Sequence, residues 1–157
     1  MLILSLMVPL FSIGATQACR WRGPTIGNMD LAFLGRQSES GDPGYPDSVL
    51  TWDGTISRDV TGHMIFWLLK FEMEGPNQDW THFWEIWQIF DDAGTLLMQG
   101  NDEGYAAPNG KYAMIGRVTY ATGPYSRLED HIVFMYGTID WVIPFMEGTA
   151  PGTFIVF

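Results

Sequence analysis

The stretch Trp80-Thr81-His82-Phe83-Trp84-Glu85-Ile86-Trp87-Gln88-Ile89-Phe90 decides how this chain folds. Alternate positions put Phe83, Trp87 and Ile89 on one face and Trp84, Ile86 and Phe90 on the other, the two-residue period of a strand that is apolar on both sides. The run before it, Gly62–Glu72, behaves the same way. Ile65, Trp67, Leu69 and Phe71 share one face, and Met64, Phe66 and Leu68 share the other until Lys70 and Glu72 turn it polar. Strands of this kind expect cover on both faces, from other parts of the chain or from a second subunit in an oligomer, a homodimer or homotrimer, the alternative being that one face merely carries scattered surface aromatics.

Working outward, short β-branched and aromatic runs alternate with Gly, Pro, Asn and Asp clusters. The remaining runs are Thr25–Leu34, Val49–Ser57, Thr95–Glu103, Lys111–Tyr120, His131–Trp141 and Thr153–Phe157. Gly75-Pro76-Asn77-Gln78, Asp91-Asp92-Ala93-Gly94 and Pro108-Asn109-Gly110 read as hairpin turns between neighbours. No window holds a long amphipathic helix, and the one-turn candidate Ser126–Asp130 reads as a loop. Antiparallel strands in this number form either a two-sheet sandwich or a barrel. Closure removes exposed edges, so the expected fold is all-β, a single closed antiparallel β-barrel of about eight strands.

The chain has 157 residues, 46% of them apolar, which suits one domain with one core. Its 18 acidic and 8 basic side chains leave a net charge of −10, which repels nucleic acid and anionic lipid and favours, if any charged ligand, a cationic one. The single cysteine, Cys19, excludes an intrachain disulfide and a thiolate metal cage. Residues 1–18 read as a signal peptide: Met1–Phe11 is uncharged and mostly apolar, and Ala15-Thr16-Gln17-Ala18 resembles a cleavage site. That segment is too short to span a bilayer. The domain is then 19–157 and the protein secreted, the alternative being a buried N-terminal strand in a cytoplasmic protein.

From Gly100 the chain reads Gly-Asn-Asp-Glu-Gly-Tyr, then Asn109-Gly110-Lys111-Tyr112, then Gly116-Arg117-Val118-Thr119-Tyr120-Ala121-Thr122-Gly123-Pro124-Tyr125, then Tyr136-Gly137-Thr138-Ile139-Asp140-Trp141. This succession resembles the allene oxide cyclase-like barrel superfamily, which includes the dirigent proteins. Thr122-Gly123-Pro124-Tyr125 stands where those proteins carry a Thr-Gly-x-Tyr/Phe turn, and Ala150-Pro151-Gly152-Thr153-Phe154 is similar to their ends. The resemblance implies an eight-stranded barrel with an apolar lumen that works without a cofactor, often as a dimer or trimer. It carries over no catalytic residue.

Polar side chains trapped in apolar strands are therefore the candidates for chemistry. Glu85, between Trp84 and Ile86, is expected to have its carboxyl pKa raised by desolvation and to serve as acid or base, or else to point outward or pair with Arg117. Arg117 is a candidate anion stabiliser, or the structural partner of a buried acid. Tyr120 and Tyr136 flank the Thr122–Tyr125 turn and are expected to orient a carbonyl across the lumen, with core packing as the alternative. Trp67, Trp84, Trp87 and Phe134 are the expected aromatic wall. His63, His82 and His131 are placed on three strands, and no metal site is expected. Gly-x-Ser-x-Gly is absent, so a nucleophilic serine has no support. The expected activity is a cofactor-free cyclisation or isomerisation of a small apolar molecule in the lumen, and the alternative is a dirigent-like or lipocalin-like binding protein without turnover.

Overall fold

The computed structural model describes residues 23–35, 50–142 and 147–157. The segment read as a signal peptide, Cys19 and the linker-like residues 37–46 lie outside the described residues. Ten strands run in chain order: β1 (Thr25–Gly35), β2 (Leu50–Arg58), β3 (Gly62–Glu74), β4 (Trp80–Phe90), β5 (Leu96–Ala106), β6 (Lys111–Ala121), β7 (Ile132–Thr138), β8 (Asp140–Val142), β9 (Glu147–Thr149) and β10 (Gly152–Val156). Strands β1 to β7 pair antiparallel with their neighbours in sequence, β7 pairs with β10, and β10 returns to β1. These eight strands close a barrel. Strands β8 and β9 pair with each other, and β9 meets β1 at Ala32 and Thr149.

The expected turns form for visible reasons. In the β4–β5 hairpin the Asp91 carboxylate accepts the backbone N–H of Ala93 (2.9 Å) and Thr95 (2.8 Å), while Gly94 takes a positive φ of 80°. Gly75 and Gly110 do the same in the β3–β4 and β5–β6 hairpins. The segment read as a loop instead holds a 3₁₀ turn, Gly123–Leu128, with Pro124 in its first turn. It delivers Leu128 to the core, 1% exposed.

Opposite residues on paired strands share a face, so the register sorts the whole wall. Inside lie Met29, Leu31, Trp52, Ile56, Met64, Phe66, Leu68, Phe83, Trp87, Ile89, Met98, Met114, Val118, Val133, Met135, Phe154 and Val156, all buried. Gly27, Gly54, Gly100, Gly104, Gly116, Gly137 and Gly152 alternate with them on the same face. These positions are small because the large ones need the room. The Trp87 indole lies over Gly100 and meets the Phe154 ring edge-on, 5.3 Å between centroids.

Antiparallel order puts the β2–β3, β4–β5 and β6–β7 connections at one end of the ring and the β3–β4 and β5–β6 turns at the other. Val60 and Leu128 are buried at the first end, and Asp59 is laced there to Ile26 by two backbone-directed hydrogen bonds of 3.0 Å. At the other end the β3–β4 hairpin rises past its neighbours. Phe71 and Met73 are on its inward face there, at 45% and 46% exposure.

Some outward aromatics are partly covered by neighbouring side chains, while Trp80, Tyr105, Tyr120 and Tyr136 remain exposed. Lys70 holds its ammonium 4.6 Å above the Trp84 ring, and His82 lies flat against Tyr105. Trp67 and Thr51 are the outward side chains of β2 and β3 that are wholly buried. The Gly100→Val substitution drives a side chain into the Trp87 ring and the Arg117 carbonyl. It is expected to lower the unfolding free energy by about 2 kcal/mol or more in a urea titration.

Candidate functional site

Strand register decides which polar side chains reach the lumen. On β4 the inward positions are Phe83, Glu85, Trp87 and Ile89, so Glu85 points inside with its flanking tryptophan Trp84 outside. Directly across the β4–β5 ladder from Glu85 is Asp102, and both are 6% exposed. Tyr112, at the start of β6, is inward and 5% exposed, and its hydroxyl occupies the space a side chain at Gly152 would need. One row nearer the sealed end lies Trp87. Two carboxyls, a phenol and an indole N–H are thus gathered in the half of the barrel that faces the β3–β4 and β5–β6 turns.

These groups are short of partners. Both Asp102 carboxylate oxygens, the Tyr112 hydroxyl and Trp87 Nε1 are buried without a hydrogen bond among the described residues. Buried polar atoms are usually satisfied, and each one left bare costs about 1–3 kcal/mol. Desolvation pushes the Glu85 carboxyl up to about 8. Desolvation, and then the Glu85 charge, raise Asp102 well above the ordinary carboxylate range. Burial raises Tyr112 as well, helped by the same two carboxyls. Near neutral pH the pair therefore retains at least one proton.

The remaining candidates do not join this group. Arg117 is exposed on the outer face, where its guanidinium donates to the Asp130 carbonyl at 2.5 Å, so it neither pairs with Glu85 nor reaches the lumen. Tyr120 and Tyr136 are 41% and 44% exposed, also outside. For Tyr120 the cause is a bulge that adds Thr119 to β6: Tyr112, Met114, Gly116 and Val118 point inward at even positions, and beyond the bulge Ala121 does. Tyr136 lies between the inward Val133, Met135 and Gly137 and shares a face with Ala113. Trp84 faces outward and donates its indole N–H to Glu103 at 3.0 Å. Phe134 packs on Tyr136 outside, 5.7 Å between centroids. Trp67 is buried but outward. Of the expected site, the structure brings together Glu85 and Trp87 and adds Asp102 and Tyr112, which sequence reasoning missed.

The histidines stand apart. His63 contacts Asp53 at 2.5 Å on the outer face, and His131 precedes β7 rather than lying in it. Glu72, Glu74 and His82 bring one potential ligand atom each within 4.8 Å on the outside of β3 and β4. Glu72 pairs with Lys70 at 2.5 Å, and Glu74 lies 3.0 Å from His82 Nδ1. The Lys70 ammonium accordingly lowers the Glu72 pKa.

Comparisons with protein families, with curated proteins and with solved structures found no match to this chain.

The acid pair makes stability depend on pH in a definite direction. Below about pH 4.5 Glu85 is neutral both folded and unfolded, so its burial carries no ionisation penalty. As pH rises toward about 8 the unfolded chain releases the Glu85 proton while the folded barrel keeps it, and stability falls through that window. Asp102 acts in the same sense. Thermal unfolding is expected at a higher temperature near pH 5 than near pH 8, and Glu85→Gln and Asp102→Asn are each expected to flatten the profile and to stabilise the barrel at the alkaline end by a few kcal/mol.

Proposed function

We propose that the barrel is a cofactor-free isomerase or cyclase whose lumen holds a small, largely apolar molecule and moves a proton on it through the Glu85–Asp102 pair. The observation that carries this reading is the bare polar cluster: a carboxyl, a phenol and an indole N–H with no hydrogen-bond partner among the described residues, beside a second buried carboxyl. A carboxyl pair that shares a proton offers a donor and an acceptor side by side. One carboxyl protonates an epoxide or carbonyl oxygen, the other removes a proton from carbon, and nothing is gained or lost overall. Tyr112 and Trp87 Nε1 donate to the same oxygen. The aromatic wall holds the folded conformer, and such orientation alone supplies a large effective concentration.

Two further observations fit. Met29, Met64, Met98, Met114 and Met135 all face inward, and flexible thioethers repack around a guest at low cost. Exposed Phe71 and Met73 give the turn-bearing end an apolar rim next to the acid pair. The Thr122-Gly123-Pro124-Tyr125 turn and the resemblance to the allene oxide cyclase-like barrels point the same way. Secretion remains part of the proposal, on the strength of the N-terminal residues.

The test is turnover of unsaturated epoxides and β,γ-unsaturated ketones in deuterated water, followed by NMR. Solvent deuterium is expected in the product, with Glu85→Gln and Asp102→Asn each lowering the rate by about 10²-fold or more. Arg117→Leu, Tyr120→Phe and Tyr136→Phe are expected to leave it unchanged. Tight binding with no exchange and no product would make the protein a carrier.

A further inference from the structure

We infer that the molecule taken into the lumen carries a protonated nitrogen: an organic amine whose ammonium sits among Glu85, Asp102 and Tyr112 while its apolar frame lies against Trp87 and the inward methionines. This rests on the reading of the lumen as a binding site.

The first argument is an inventory of charge. Buried carboxylates are normally paired with a cation, because an isolated buried charge is far too costly. Around this pair, β3 presents Phe66 and Leu68, β5 presents Asp102, and β6 presents Tyr112 and Met114. The inward positions of β1, β7 and β10 are Thr, Gly, Met, Leu, Phe and Val, and those of β2 are Leu50, Trp52, Gly54 and Ile56, followed at the end of the strand remote from the acids by Arg58, opposite Gly27. The cations Arg58, Lys70, Lys111, Arg117 and Arg127 are all exposed, and His63, His82 and His131 lie outside the lumen. Among the described residues no base thus stands beside the two acids, Arg58 being exposed at the far end of β2. A guest that brings the missing positive charge completes it.

The second argument is hydrogen-bond chemistry. The bare atoms are mostly acceptor-capable oxygens: two on Asp102 and one on Tyr112, with Glu85 alongside. An ammonium has three donors and no acceptor, so it matches that set, whereas a carboxylate or phosphate would meet like charge. The indole of Trp87 supplies a π-surface that attracts a cation as well as an apolar frame. A hard divalent ion fits less well, since it takes six or more oxygens and the surroundings are rings and thioethers. The net charge of −10 draws cations toward the molecule before they enter.

Proton linkage follows. Both carboxyls hold their protons more tightly than usual because nothing compensates the charge, so an arriving ammonium displaces a proton from the pair. Affinity for the amine then rises with pH between about 6 and 8, by up to about tenfold per unit for one proton released.

The experiment uses three probes of one shape: phenethylamine, phenethyl alcohol and phenylacetate, titrated calorimetrically into the full chain at neutral pH in phosphate and in the bulky zwitterionic sulfonate buffer MOPS. Expected are at least tenfold tighter binding of the amine than of the alcohol, no binding of phenylacetate, and heats that differ between the two buffers as a released proton requires. In the Glu85→Gln/Asp102→Asn double variant, whose side chains keep the shape of the neutral acids, the amine's advantage is expected to vanish while alcohol binding persists. Equal affinity for amine and alcohol, or an advantage that survives in the double variant, overturns the inference and leaves the lumen site standing. If none of the three binds either the wild-type protein or Met114→Ala, which opens the lumen, the lumen reading falls with it.

Discussion

Five residue pairs, from Thr25 opposite Val156 to Met29 opposite Gly152, join the last strand to the first. Without them β1 and β10 would each leave a row of unpaired N–H and C=O groups, and the sheet would have two open edges. With them, every strand is forced to sort its side chains into an inside and an outside. The interior is then crowded, and glycines on the same face make room for some of its large residues. That is why Trp87 sits on Gly100, and why the Tyr112 hydroxyl takes the place that Gly152 leaves free. Closure also makes the interior dry. A carboxyl that would be unremarkable on an open sheet becomes, at Glu85 and Asp102, a group that keeps its proton near neutral pH.

The same sorting separates two kinds of polar chemistry. Outside, several polar groups are matched close to hand, Lys70 with Glu72, His82 Nδ1 with Glu74 and Trp84 with Glu103, although Thr51 Oγ1 and His82 Nε2 are buried there without a partner among the described residues. These contacts are exposed or half-exposed, and solvent limits what each contributes. Inside, the groups are few, dry and left without partners, and there each interaction gained or lost counts for more.

Much of this was legible in the residues. Alternation in β3 and β4 and the turn chemistry at Asp91–Gly94 lead to a barrel and mark Glu85 as trapped among aromatics, while leaving open whether it faces the lumen, solvent or Arg117. What could not be read was register. Counting outward residue for residue from Asp91 and Thr95 sets Glu85 opposite Asn101, but one bulge in β5, at Leu97, moves the partner to Asp102. Another, at Thr119 in β6, turns Tyr120 from inside to outside and leaves Tyr112 as the lumen phenol. A two-residue period propagates each single insertion to every later position on the strand. Bulges answer to the twist that closure demands, and that demand is set by the whole ring rather than by local sequence.

The two ends of the barrel are unlike. One is plugged by Val60 and Leu128 and stitched through Asp59 and Arg127, and its interior, with Ile89, Met98, Val118, Val133 and Val156, is apolar except for Thr25, whose hydroxyl accepts from Arg127. The other carries the acids, the phenol and the projecting rim. Under the proposed function, stability and recognition fall to different storeys of one small ring. Residues in the upper storey can change, and with them the guest, while the lower storey continues to hold the barrel shut. A scaffold partitioned in this way can diversify its chemistry without first having to become more stable.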